Sequence, residues 1–393
     1  MKEKVTNNKS TFALIIFIFL LMIINAISEN IRGVLIPVFK SEFGVKDTNI
    51  GIFLFIGSLG YVIATFIGGL LCEKVGQKKV LSIGIITMIV SLGIFIKASI
   101  FEVLLLGMFI MNLGLAFTSI AVNTLIPVLL LSFQAILMNV THFCYGLGAS
   151  IGPKMAGNLI NKGVRWRSLY LYIAIAFVVL LFIFIFLKVP EVHKASQNEE
   201  NGEVDKTLIF FYIIALGFYV CAEMGTGSWL INYIKNVYGY NEATSATYLS
   251  IFFGMLTIGR LLGGAVVEKF GYINTMLKFL IMAFVIYTLA LFMGEKGLIL
   301  ISISGLFFSI IFPTTVLTIS KVFSKKVSAI TGTVVTAASA INMVVSVVIG
   351  KLNDTIGYRY AFYLIPVSLF ISIIFMALIH IKTKDILSCR SDR

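Results

Sequence analysis

The sequence predicts an all-α integral membrane protein whose twelve transmembrane helices form two six-helix halves. Three observations carry this expectation. Of the 393 residues 59% are hydrophobic and only 12% charged, with a mean hydropathy of +1.01, which leaves too little polar surface to solvate a soluble globule. Apolar runs of about 20 residues, the length needed to cross the hydrocarbon, recur along the chain. Two nine-residue stretches, Gly68 to Gly76 (GGLLCEKVG) and Gly263 to Gly271 (GGAVVEKFG), match at an offset of 195, about half the length. A parallel repeat inside a membrane is one construction plan of secondary carriers.

The runs place the spans at approximately 11–38, 49–71, 80–97, 101–125, 135–160, 168–187, 207–232, 244–266, 276–292, 298–319, 329–350 and 360–380. The first is not a signal peptide, because its apolar part outruns a 7 to 15 residue core and no small-residue cleavage site follows. The second and eighth end in the repeated turn. A second echo, Gly163-Val164-Arg165-Trp166 against Gly357-Tyr358-Arg359-Tyr360, keeps the register at an offset of 194 before the sixth and twelfth spans. Between the halves, residues 188–206 form the one extended polar segment, with Glu199-Glu200-Asn201-Gly202-Glu203 at its centre. It reads as a cytoplasmic linker between an N-terminal half, 1–187, and a C-terminal half, 207–393.

With both termini inside, cytoplasmic segments hold most of the 31 Lys and Arg, which orients the chain N-in, C-in in a plasma (inner) membrane. Lys162, Arg165 and Arg167 in one external loop dilute that bias. The net charge of +13 is then mostly anchoring beside anionic lipid, and no basic stripe with interleaved aromatics suggests nucleic acid. Cys72, Cys144, Cys221 and Cys389 lack metal or disulfide spacing and read as small apolar side chains. No cofactor is implied. No metal-ligand cluster, phosphate loop or nucleophile elbow supports an enzyme acting on lipid-linked substrates, and the external loops are short.

The repeated turn has a mechanical reading. Its paired glycines let neighbouring helices approach, and Glu73 sits at the membrane edge, where it can face the positive N-terminal end of another helix. Gly69, Glu73, Lys74 and Gly76, with Glu268 in the second copy and Arg260 above it, are therefore candidates for conformational gating. A plain topology-fixing turn is the simpler alternative.

The pattern Gly69-x-x-x-Glu73-Lys74-x-Gly76-x-Lys78-Lys79 resembles the signature loop of the major facilitator superfamily, with Glu and Lys where Asp and Arg are commoner. Finer similarity is to the fucose-permease-like sugar symporters. It rests on Tyr219-Val220-Cys221-Ala222-Glu223 through Trp229-Leu230, Gly259-Arg260-x-x-Gly263, Ser309-x-x-x-Pro313-Thr314, and Asn139-x-x-His142-Phe143-x-Tyr145-Gly146-x-Gly148 with Gly152-Pro153. The resemblance implies a carrier, functional as a monomer, that moves a small polar, sugar-like solute by alternating access with a proton, or else sodium, as partner. The sequence departs from that group at the two coupling acids, whose places fall at Gly33 and Ser119. Glu29, one helical turn before Gly33 on the same face, is the acid that remains.

Intramembrane polar residues supply the candidates, since a charge at mid-bilayer costs at least ~2.5 kcal/mol and normally faces a wet cavity. Asn25, Glu29 and Arg32 share one face of the first span, and Asn112, Ser119 and Asn123 one face of the fourth. Asn139 and His142 lie on the fifth, Tyr219 and Glu223 on the seventh, and Ser339, Asn342 and Ser346 on the eleventh. Asn25, Asn123, Asn139, His142, Tyr219, Glu223 and Asn342 are the expected solute contacts, because their donors and acceptors suit adjacent hydroxyls. Glu29, Arg32 and His142 are the expected proton-coupling set. Each has a plainer reading: an i, i+3 ion pair for Glu29 and Arg32, packing for His142, snorkelling toward the cytoplasm for Arg260, and an interfacial aromatic for Trp229. Glu29 and Glu223 stand 194 residues apart on the first helix of each half, so the duplication predicts equivalent positions facing a common cavity. A proton-coupled exporter of drugs or metabolites, with one acid in an aromatic wall, is the rival within transport.

Overall fold

In hydrocarbon every backbone N–H and C=O must find its partner within the chain, so isolated apolar runs of this length become helices. The computed structural model describes residues 8–129, 134–190, 205–323 and 327–391. Residues 191–204 of the expected linker, and the side chains of Glu73, Asn139 and Cys389, lie outside the described residues. The helices are α1 (Asn8–Asn30), α2 (Arg32–Phe43), α3 (Asp47–Val75), α4 (Gln77–Lys97), α5 (Phe101–Leu129), α6 (Gln134–Asn161) and α7 (Trp166–Phe186), then α8 (Lys206–Tyr238), α9 (Glu242–Phe270), α10 (Tyr272–Phe292), α11 (Leu298–Phe308), α12 (Ile311–Val322), α13 (Val327–Ile356), the short α14 (Tyr358–Ala361) and α15 (Leu364–Ser391). Among the described residues there is no strand.

Among the described residues eleven helical stretches are long and apolar enough to cross a membrane, with α1 and α2 counting as one, α11 and α12 as another, and α14 and α15 as a third. The expected fifth span is present as α6, 28 residues long, but is not among the eleven. Asn139, Thr141, His142, Lys154 and Asn158 lower its hydropathy.

Pro313 lies just past the break that separates α11 from α12, and Pro37 sits in the turn after α2 begins. Proline removes a backbone donor and crowds the carbonyl four residues earlier. Around Ile31 the backbone bonding nevertheless continues, with Ile31 N donating to Ile27 O at 3.1 Å and Leu35 N to Ile31 O at 3.2 Å, so α1 and α2 form one span with a local irregularity.

The chain divides into two units, one of residues 1–45 and 53–195, the other of residues 46–52 and 196–393. In the first, α1 packs on α6 and α7, and α4 on α5 and α7; in the second, α8 packs on α13 and α15, and α10 on α11 and α15. These are the same pairings displaced by half the chain. Backbone angles repeat with them. Gly76 and Gly271 have φ of +84° and +83°, Gly163 and Gly357 +82° and +83°, and Gly44 and Gly239 +63° and +74°. A side chain strains such conformations, so the turn glycines are backbone requirements in both copies. Close approach explains others: a Cβ on Gly148 of α6 would lie 2.3 Å from Ile23 O of α1.

The paired glycines of the repeated turn behave differently from expectation. A Cβ on Gly68 would meet Phe117 and Ile120 at 3.0 Å, and one on Gly263 would lie 2.0 Å from Ile310 Cγ2. Gly69 and Gly264 face open space. Consecutive helical residues point about 100° apart, so only one of each pair can meet a neighbouring helix.

Candidate functional site

In the first unit polar side chains of three helices, α2, α3 and α6, converge on Glu29. This residue lies one position before the end of α1, and Arg32 opens α2, so the guanidinium returns toward the carboxylate at i, i+3, with Nη2 3.6 Å from Oε1. The side chains are 13% exposed for Arg32 and 20% for Glu29, so solvent screens the pair only partly. The second oxygen, Oε2, accepts the hydroxyl of Tyr145 from α6. Tyr61 from α3 lies near Ser119 of α5 and in the field of Glu29. Tyr170 of α7 is fully buried in the field of Arg32.

One turn before Glu29, Asn25 is 2% exposed and its Nδ2 donates to Thr118 Oγ1 at 3.0 Å. Its Oδ1 has no partner, nor has Oδ1 of Asn123 on α5. An unsatisfied buried acceptor is costly and is a natural receiver for a ligand hydroxyl.

The second unit repeats the charge chemistry with different geometry. Glu223 of α8 is 5% exposed, and Arg260 of α9 reaches it with Nη2 3.4 Å from Oε1. Arg260 therefore turns to a carboxylate on the neighbouring helix rather than snorkelling to the cytoplasmic headgroups, since a buried anion offers it a desolvated partner. Its Nε has no partner. Tyr219, one turn below Glu223, is fully buried, and its hydroxyl donates to Phe308 O, the last carbonyl of α11, at 2.7 Å. Both ion pairs exceed the 2.7 to 2.9 Å of a tight charge-assisted bond. Arg167 and Glu42, by contrast, close at 2.6 Å, with Arg167 stacked 4.3 Å over the Trp166 ring; this is a structural staple.

Other expected residues stand apart. His142 is exposed on α6, Lys74 and Glu268 are exposed at the repeated turns, and Asn342 is half-buried on α13, its carbonyl accepting Ser346 Oγ at 2.9 Å. Ser339 Oγ bonds Val335 O, and Asn112 Nδ2 bonds Met108 O, so both serve their own helices. Lys78 of the repeated turn donates to Leu187 O at 2.8 Å and closes the C-terminal end of α7.

Sequence reasoning missed Tyr145 and Tyr61 as parts of the site. Tyr145 carried a signal, lying three residues beyond His142 on a polar helical face; Tyr61 sits in a Gly-rich apolar run with none.

Two duplicated helical units, each with a carboxylate and a guanidinium paired inside the spans, define a multi-pass membrane carrier. The chain belongs to the Major Facilitator Superfamily, whose family model matches residues 18–297. It is 26% identical over 377 residues to a glucose/galactose transporter of Brucella abortus, covering 90% of each chain. In structure it is similar to the fucose:proton symporter of E. coli, with a TM-score of 0.64 at 19% identity over 94% of this chain and 99% of that one. A D-xylose-proton symporter superposes with a TM-score of 0.76 at 13% identity, covering 93% and 97%.

Proposed function

We propose that this chain is a proton-coupled hexose symporter of the glucose/galactose type, embedded in the plasma membrane with both termini cytoplasmic and working by alternating access. The observation that carries the proposal is Glu29, a carboxylate inside a span, loosely paired with Arg32 and bonded to Tyr145. A proton can take the place of the guanidinium there, because a contact of 3.6 Å leaves Oε1 short of a tight charge-assisted bond. The similarity to a glucose/galactose transporter supports the solute class. In the first unit Asn25 and Asn123 offer acceptors that suit sugar hydroxyls, and in the second Glu223, held by Arg260, offers a carboxylate of the same suitability.

The test is uptake of labelled galactose into proteoliposomes under a pH gradient, alongside exchange at equal concentrations. Glu29→Gln should abolish accumulation and spare exchange, whereas Glu223→Gln should weaken binding and raise the half-saturating concentration. If Glu29→Gln accumulates sugar normally, the coupling assignment is wrong and His142 becomes the next candidate.

A further inference from the structure

Glu29 holds its two oxygens in different company. Oε1 faces Arg32, a permanent charge on the adjoining helix, and Oε2 accepts from Tyr145, a neutral donor on α6. Among the described residues, Tyr61 on α3 also lies in the field of the carboxylate and near Ser119 of α5, which does not titrate, and Tyr170 of α7 lies in the field of Arg32.

An ionised carboxylate is an acceptor only, so Tyr145 must donate to it. Once the carboxyl carries a proton, its demand for a donor falls, and the hydroxyl is free to donate or accept elsewhere. Tyr145 sits on the polar face of α6 that includes His142. We propose that Tyr145 is a positioning residue that ties solute binding to the protonation of Glu29: its hydroxyl holds the ionised carboxylate while the site is empty and turns to a sugar hydroxyl once Glu29 is protonated. The inference rests on the assignment of Glu29 to coupling made above.

A donor to the charged form favours that form, so removing it makes protonation easier and lets the protonated carrier persist to higher pH. Tyr145→Phe keeps the ring and deletes the hydroxyl. The pH profile of proton-driven galactose uptake should move to higher pH by about one unit, the size expected for one charge-assisted hydrogen bond. The half-saturating galactose concentration in exchange should rise several-fold. Replacement of Tyr145 by 3-fluorotyrosine, a stronger donor of the same shape, should move the profile to lower pH, and this variant preserves the test if Tyr145→Phe fails to fold. A purely structural role would lower the rate at every pH and leave the profile where it was. An unmoved profile in both variants overturns the inference. Glu29→Gln, measured in parallel, separates the two ideas: if it still accumulates sugar, the coupling assignment has failed, and if it does not while the Tyr145 profiles stay unmoved, only the role of Tyr145 has failed.

Discussion

Arg260 and Glu223 form an ion pair whose contribution to stability is small beside the cost of breaking it. Burying both charges costs several kcal/mol per ion, and a pair at 3.4 Å recovers only part of that. Removing one partner is worse, because the other charge is left buried. Arg260→Met should therefore destabilise the detergent-solubilised carrier by about 3 kcal/mol, the low end for breaking a buried pair, since the Arg260 side chain retains 26% exposure. The double variant with Glu223→Gln should recover most of that loss while leaving transport impaired. Thermal unfolding of the three variants checks this, and a double variant no more stable than Arg260→Met would mean that the two groups do not act as a pair.

At the scale of elements, helix ends are closed by residues far away in sequence. The first turn of α3 groups with the second unit. There Asp354, near the end of α13, accepts the N–H of Asp47 at 3.0 Å with one oxygen, and with the other the N–H of Thr48 at 2.7 Å and the Thr48 hydroxyl at 2.6 Å. Asn232 of α8 donates to the buried Asp47 carboxylate at 3.0 Å. This supplies the orphan donors of a helix N-terminus from another helix, with the negative charge placed favourably on the dipole. Asp354→Ala should cost about 1 kcal/mol, the typical value of a cap. It should also raise the labelling rate of a cysteine placed at Thr48 in an otherwise cysteine-free chain. An unchanged rate would show that other contacts hold residues 46–52. Local caps behave conventionally: Asp205 accepts the N–H of Leu208 at 3.0 Å and lies 3.1 Å from Lys382, and the Leu208 bond, with Lys382 second, holds its carboxyl below the usual carboxylate range.

For the whole molecule, the duplication means that one folding solution is used twice with divergent chemistry. The helix pairings and turn angles repeat, yet Glu29 takes its arginine from the next turn of its own span and Glu223 from a different helix. A ligand that binds only the folded carrier stabilises it by mass action, about 2.7 kcal/mol at a hundredfold excess over its dissociation constant. Galactose or glucose should raise the melting temperature of the purified protein in proportion to the logarithm of their concentration. Stabilisation by hydrophobic cations with no response to sugars would favour an exporter instead.

The sequence by itself determined the class of fold, the duplication and the turns. Insertion of a span depends on the summed hydrophobicity of about 20 consecutive residues, and a positive φ depends on one glycine; both are local, so both can be read along the chain. The identity of the charged residues inside the spans was legible for the same reason, and Glu29, Arg32, Glu223 and Arg260 all stood out as costly where they lie. Tertiary structure decided their partners. Whether Arg260 snorkels or meets Glu223, whether Gly68 or Gly69 packs, whether Tyr145 reaches Glu29 and where residues 46–52 belong depend on the rotation and depth of helices distant in sequence. Periodicity states which residues share a face, but only packing states what that face meets.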